Sequence, residues 1–195
     1  MTSQGRLFAL IPLLFISVGC ANRNTWQSFP VEIYSDPKLV ATAEAQTDFN
    51  EAMAFWEEKS GHQLFNYKGN WTGQMPPYSG DPASPGSIMG NVIFSMNPWP
   101  FAANIAGQTT VMSDSHDIQA AMIMIDPNVT FCTGDCDGEP GATSRRRAFA
   151  HELGHFLGLD HVNDTANIMY PTIQSGGTLV GITVDDSALH DVTDK

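Results

Sequence analysis

The sequence predicts an α+β fold, and three observations carry that reading: five short segments with strand character, a long stretch free of Gly and Pro, and a capped, glycine-terminated helix around residue 150. Residues 29–34 alternate with the period of a strand, and Ser35-Asp36-Pro37 marks its end and a helix start. Over residues 38–59, Phe49, Met53 and Trp56 recur at helical spacing, with Ala45 and Ala52 on the same side, and Ser60-Gly61 supplies the stop. These side chains are core. Residues 62–67 read as a second strand, residues 69–90 as a long surface loop rich in Gly, Pro, Ser and Asn, and residues 91–96 as a third strand. Residues 108–112 and 118–125 form the fourth and fifth, joined by the polar turn 113–117; Met122, Met124 and the isoleucines around them suit a central, buried strand. Ser144 caps a helix running to about Leu157, with Phe149, Leu153 and Phe156 on one stripe and His151 and His155 on another.

Composition narrows the function. With 195 residues and 42% hydrophobic content, the chain has material for one ordinary core, and one domain is expected. The formal charge of −12 excludes a nucleic-acid binder, which needs a large basic patch. The one basic cluster, Arg145-Arg146-Arg147, reads as a solvated first helical turn, with substrate or membrane steering as the alternative.

The N-terminus has the form of an export signal: Arg6, then an apolar run over residues 7–18 broken by Pro12 and Ser17. The run is too short to span a bilayer, and no later segment approaches the ~20 apolar residues required. Ser17-Val18-Gly19-Cys20 resembles the bacterial lipobox, with Ser17 where Leu is commonest. The expected organisation is a lipoprotein-type signal over 1–19, a tether over 20–28 beginning at a lipidated Cys20, and one domain over 29–195. The expected location is the bacterial cell envelope, anchored to the outer membrane or cell surface, with plain secretion as the alternative. Cys132 and Cys136 then pair as a local disulfide, since two thiols at this spacing lack the further ligands of a cysteine zinc site. Residues 135–139 match an acidic calcium loop only in part, so a surface turn is expected and Ca²⁺ has no full motif.

The chemistry lies in His151-Glu152-Leu153-Gly154-His155. A four-residue helical step returns two side chains to nearly one face about 6 Å apart along the axis, so the imidazoles can share one ion. Glu152, one position round, stands beside the metal and can take the proton of a metal-bound water. On a continued helix His161 could not reach the same ion, so the helix must end first, and Gly158 is placed to end it. Three neutral imidazoles with a fourth position left to water make an open, catalytic zinc site. His62, His116 and His190 stand alone and read as surface or core histidines.

The run from His151 to His161 has the complete long zinc-binding pattern of the metzincin metallopeptidases, and Asn167-Ile168-Met169-Tyr170-Pro171 resembles their Met-turn, most similar in wording to the matrixin branch. The resemblance implies a metzincin-like fold: a twisted, mixed five-stranded sheet, a long backing helix, an active-site helix, and a small C-terminal subdomain with Met-turn and short helix. It implies one zinc ion on His151, His155 and His161, Glu152 as general base, Gly158 ending the helix and Met169 as a hydrophobic floor. Substrate would lie along the outer strand at Gln108, Thr109, Thr110 and Val111, with Tyr170, Pro171 and Ile173 walling the pocket after the cleaved bond. Ile173 stands where the family often has tyrosine. The closing helix is expected to use Thr183 and Asp186 as its capping box and to bury Leu189.

The reading is therefore a monomeric zinc endopeptidase acting on protein or peptide substrates, carried to the membrane by an N-terminal lipid. The alternative is a lipid-anchored surface binding protein retaining a structural zinc. A hydrolase for non-peptide amides is a further rival, and would need a narrow pocket instead of an open edge strand.

Overall fold

The computed structural model describes residues 23–73, 90–134, 136, 142–173 and 178–194. The leader, Cys20, most of the acidic segment 135–139, and most of the loop expected over 69–90 lie outside the described residues. One main sheet runs β1 (Thr25–Trp26), β6 (Asp117–Ile125), β4 (Val92–Ser95), β2 (Val31–Ser35), β3 (Phe65–Asn70), and β5 (Gly107–Asp114) pairs with β6. All of these pairings are parallel except β5 with β6, so the sheet is mixed as expected. A second, two-stranded sheet joins β7 (Phe131–Cys132) to β8 (Thr143–Ser144). The helices are α1 (Ala43–Ser60), α2 (Arg145–Leu157) and α3 (Asp186–Thr193).

Strand β6 is buried because β4 and β5 both pair with it and apolar layers cover both faces. Ala121, Ile123 and Ile125 face the helical layer with Phe49, Trp56, Phe149 and Leu153, while Ala120, Met122 and Met124 pack with Val92, Phe94, Trp99 and Phe101. Helix α1 braces α2. Phe49 meets Phe149 edge to face at 5.7 Å, and the Trp56 indole N–H donates to the Ala150 carbonyl at 2.7 Å.

Several boundaries differ from the sequence reading. Helix α1 starts at Ala43 because Thr42 caps it, accepting from Ala45 N–H; Asp36 instead accepts from Lys38 N–H and closes a separate turn. Gly61 ends α1 in the left-handed region, φ 72°. Strand β3 begins at Phe65, after a bend at Gly61 and His62, and the Glu57 carboxylate takes the N–H groups of both Leu64 and Phe65 at 3.0 Å. The segment read as tether contributes β1: Thr25 and Trp26 pair with Asp117 and Ile118, and Trp26 is buried. Its indole N–H donates to the Phe156 carbonyl at 2.8 Å, satisfying one acceptor at the C-terminal end of α2.

One charge reading is corrected. The arginine run is not solvated: Arg147 is 7% exposed, Arg146 Nε lies 2.6 Å from the Glu51 carboxylate, and Arg145 and Arg146 flank Asp48, itself 2% exposed. A carboxylate buried on α1 needs cationic partners, and α2 supplies them. His62 and His190 are surface histidines as read, and both meet the Asp194 carboxylate, at 3.1 and 2.7 Å. Helix α3 is capped by Asp185, which accepts from Ala188 N–H, and not by a Thr183/Asp186 box; Leu189 packs inward as expected. Cys132 and Cys136 form a disulfide with Cα atoms 5.3 Å apart. Among the described residues no helix is long and apolar enough to cross a membrane.

Candidate active site

The site is built on α2 and the turn that follows it. Ser144 caps the helix by accepting from Arg147 N–H at 3.3 Å, and Gly158 ends it with φ 102°. Its N–H bonds the His155 carbonyl and Leu159 N–H bonds the Gly154 carbonyl, both at 3.0 Å, so the chain turns back within two residues. A side chain at Gly158 would also run into the Asn24 carbonyl, so glycine is required twice there. The reversal brings His161 to α2: its Nε2 lies 3.2 Å from His151 Nε2 and 3.1 Å from His155 Nε2.

Hydrogen bonds on the far sides of the rings fix what those nitrogens offer. His151 Nδ1 donates to the Ile168 carbonyl at 2.8 Å and His155 Nδ1 to the Leu159 carbonyl at 2.7 Å, because a carbonyl can only accept. Both rings therefore turn an Nε2 lone pair toward His161 Nε2. One proton on His161 could serve only one of the two, whereas a cation among the three satisfies all. The separations also match the edge of a tetrahedron with bonds of ~2.0–2.1 Å, about 3.3–3.4 Å. Among the described residues this is the one His, Cys, Asp and Glu group close enough to hold a metal. Burial pushes the His151 imidazole down to about 3, reinforced by His155 and opposed by the Ile168 bond. Burial also lowers His155 and His161, so all three rings are neutral donors at ordinary pH.

Glu152 is buried and is not part of the ligand group. Burial raises its carboxyl to about 7, opposed by a hydrogen bond from the Thr109 hydroxyl at 2.6 Å. In metal-free protein the folded state therefore holds a proton that the unfolded chain, near 4.5, releases. Stability must fall as pH rises through that window. Glu152→Gln, which stays neutral, should stabilise the chelator-treated protein by roughly 3 kcal/mol at pH 8, at about 1.4 kcal/mol per pKa unit, and by less than about 1 kcal/mol at pH 5, near the start of the window. Urea denaturation of both proteins at the two pH values measures the difference; a gap of equal size at both would contradict the assignment.

The three histidines and Glu152 line a cleft of about 340 Å³ with Gly107, Gln108, Thr143, Pro171, Thr172 and Ile173. An adjoining recess of about 360 Å³ is lined by Arg23, Asn24, Gln108, Thr109, Val111, Asp160 and the His155–His161 turn. Gln108, Pro171 and Ile173 thus come to the cleft, and Thr109 and Val111 to the recess beside it. Thr110 is buried and pairs with Met122, and Tyr170 closes the turn by donating its N–H to the Asn167 carbonyl. The Met169 sulfur packs where a side chain at Gly154 would sit, on the helical turn between His151 and His155.

The outer edge of β5 follows from its register. Asp126 N–H donates to the Ala106 carbonyl at 3.0 Å, in line with the pairing of Gly107 to Ile125. By antiparallel alternation, Gln108, Thr110 and Met112 turn their backbone groups to β6, while Gly107, Thr109 and Val111 turn theirs to the opposite side, where no described strand pairs. The Gln108 side-chain amide donates to one of these outward groups, the Thr109 carbonyl, at 3.0 Å. The sequence reading did not name Gly107, Asn24 or the carbonyls of Leu159 and Ile168. A backbone carbonyl leaves no mark in residue type, whereas strand parity places Gly107 and Thr109 on one face.

The family model described as Matrixin matches residues 24–190, starting at the segment that holds β1 and running into α3. A comparison with curated proteins finds no match. The match spans the sheet, the histidine triad and the Met-turn, and the chain belongs to the matrixin family of metallopeptidases.

Proposed function

We propose that the protein is a zinc-dependent endopeptidase that hydrolyses internal bonds of protein or peptide chains through a metal-activated water. The observation that carries this is Glu152, a buried carboxylate lining the same cleft as three converging imidazoles and standing outside their ligand set. A structural zinc in a surface binding protein would have no use for it. When bound, zinc supplies Lewis acidity toward the scissile carbonyl and the attacking water. Glu152 accepts the water proton and delivers it to the leaving amine, so no covalent enzyme intermediate forms. The outward N–H and C=O groups of Gly107, Thr109 and Val111 receive an extended substrate as an added strand. That long edge beside an open cleft favours a polypeptide over a small amide.

A fluorogenic peptide library tests the reading. Cleavage at internal bonds is expected from zinc-loaded protein, with loss on chelation and return on zinc readdition. No cleavage of any peptide at full zinc occupancy would leave the binding-protein alternative. Lipidation of Cys20 and an envelope location belong to the same proposal and rest on residues 17–20. Mass spectrometry of the mature N-terminus is the check.

A further inference from the structure

We propose that Thr109 is a positioning residue for Glu152, and that with Gly107 it makes β5 the cradle of the general base. The inference rests on the endopeptidase reading for its kinetic consequences and on geometry for its substance. Thr109 Oγ1 lies 2.6 Å from Glu152 Oε2 and 3.1 Å from the Glu152 backbone carbonyl, so one hydroxyl reaches both the carboxylate and the main chain of the same residue. Two positions earlier, on the same face of the strand, a Cβ at Gly107 would stand 2.6 Å from Glu152 Oε1 and 2.9 Å from both Cγ and Cδ. The carboxylate is thus laid flat against a strand that has a gap at one residue and a hydrogen-bond donor at the other. A Glu side chain has three rotatable torsions, and burial alone selects none of them.

The same two residues present their backbone N–H and C=O groups to the outer edge of β5. Thr109 therefore serves two partners with different parts of itself: its hydroxyl holds the base, and its main chain faces the edge an extended peptide would join, the carbonyl there accepting from the Gln108 amide. Substrate docked on that edge is referenced to the strand that fixes the base. A misplacement of a catalytic group by about 1 Å costs about 10²-fold in rate. The effect of losing the hydroxyl should therefore fall on turnover and not on binding.

The test uses the full chain, zinc-loaded and metal-free, with Thr109→Val, which keeps the shape, and Thr109→Ser, which keeps the hydroxyl. Thr109→Val should lower kcat by about 10²-fold with KM and zinc affinity, read by chelator competition, within about twofold, and Thr109→Ser should recover most of the loss. Crystal structures should show the Glu152 carboxylate displaced in the Val variant and in place in the Ser variant. Full kcat in Thr109→Val, equal losses in Val and Ser, or a carboxylate unmoved in the Val variant would each overturn the proposal. If the unmodified protein cleaves no peptide, the endopeptidase reading fails, and the carboxylate positions in the crystals alone decide the cradle.

Discussion

Glu152→Ala is expected to lower kcat by about 10²–10⁴-fold, with KM little changed and one zinc still bound per chain. The ligand set does not include Glu152, and each Nδ1 bond that orients His151 and His155 runs to a backbone carbonyl outside the side chain removed. Truncation therefore leaves the metal site assembled and deletes the proton acceptor. It also frees Thr109 Oγ1 to bond the Glu152-position carbonyl alone, a contact already within reach at 3.1 Å. Single-turnover cleavage with parallel zinc analysis separates the two effects. Parity with the unmodified enzyme would remove Glu152 from the mechanism.

The largest stability effect is expected at Trp56. Its side chain is fully buried between α1 and α2, packs edge to face with Phe55 and sits against Gly154, between the two histidines of the helix. Trp56→Ala should cost about 3–5 kcal/mol, lowering Tm by roughly 10–15 °C. Trp56→Phe should cost less, because it keeps much of the volume and loses mainly the bond to the Ala150 carbonyl, which retains its helical partner. Zinc affinity supplies a second readout: the void in the alanine variant lies behind the turn carrying His151 and His155, so metal should bind more weakly there than in the phenylalanine variant. Calorimetry and chelator competition measure the pair, and equal Tm values for the two variants would contradict the packing argument.

What the sequence made legible divides along the range of the interactions. Helix α2 could be read end to end because Ser144 and Gly158 act on neighbours within a few residues, and the ligand set followed because two histidines and a glycine on one helix fix where a third can come. Strand β6 could be read because a nearly unbroken apolar run suits only a strand covered on both faces. The start of α1 was obscured by two competing signals: Asp36-Pro37 and Thr42 both suit a helix entrance, and only the hydrogen bonds distinguish the turn from the cap. The arginines looked solvated because their partners, Asp48 and Glu51, lie on another helix far earlier in the chain. Trp26 looked like tether because its value comes from β6 and the end of α2. Thr109 was named from the resemblance as a substrate contact, and nothing in residue type announces that its hydroxyl faces Glu152.

The amide of Gln108 on the Thr109 carbonyl has a meaning for the molecule at rest. A strand with a free side displays hydrogen-bonding groups to every chain in solution, including copies of itself, and such borders are where proteins adhere and aggregate. On the proposed reading that border must also stay available, because an extended substrate would pair with it. Gln108 offers a compromise: a tethered, neutral amide that occupies one acceptor and yields to a chain able to fill several at once. On the proposed reading, a visitor must displace that amide to pair with the Thr109 carbonyl, which a long extended peptide can do with several backbone bonds and a single weak contact cannot.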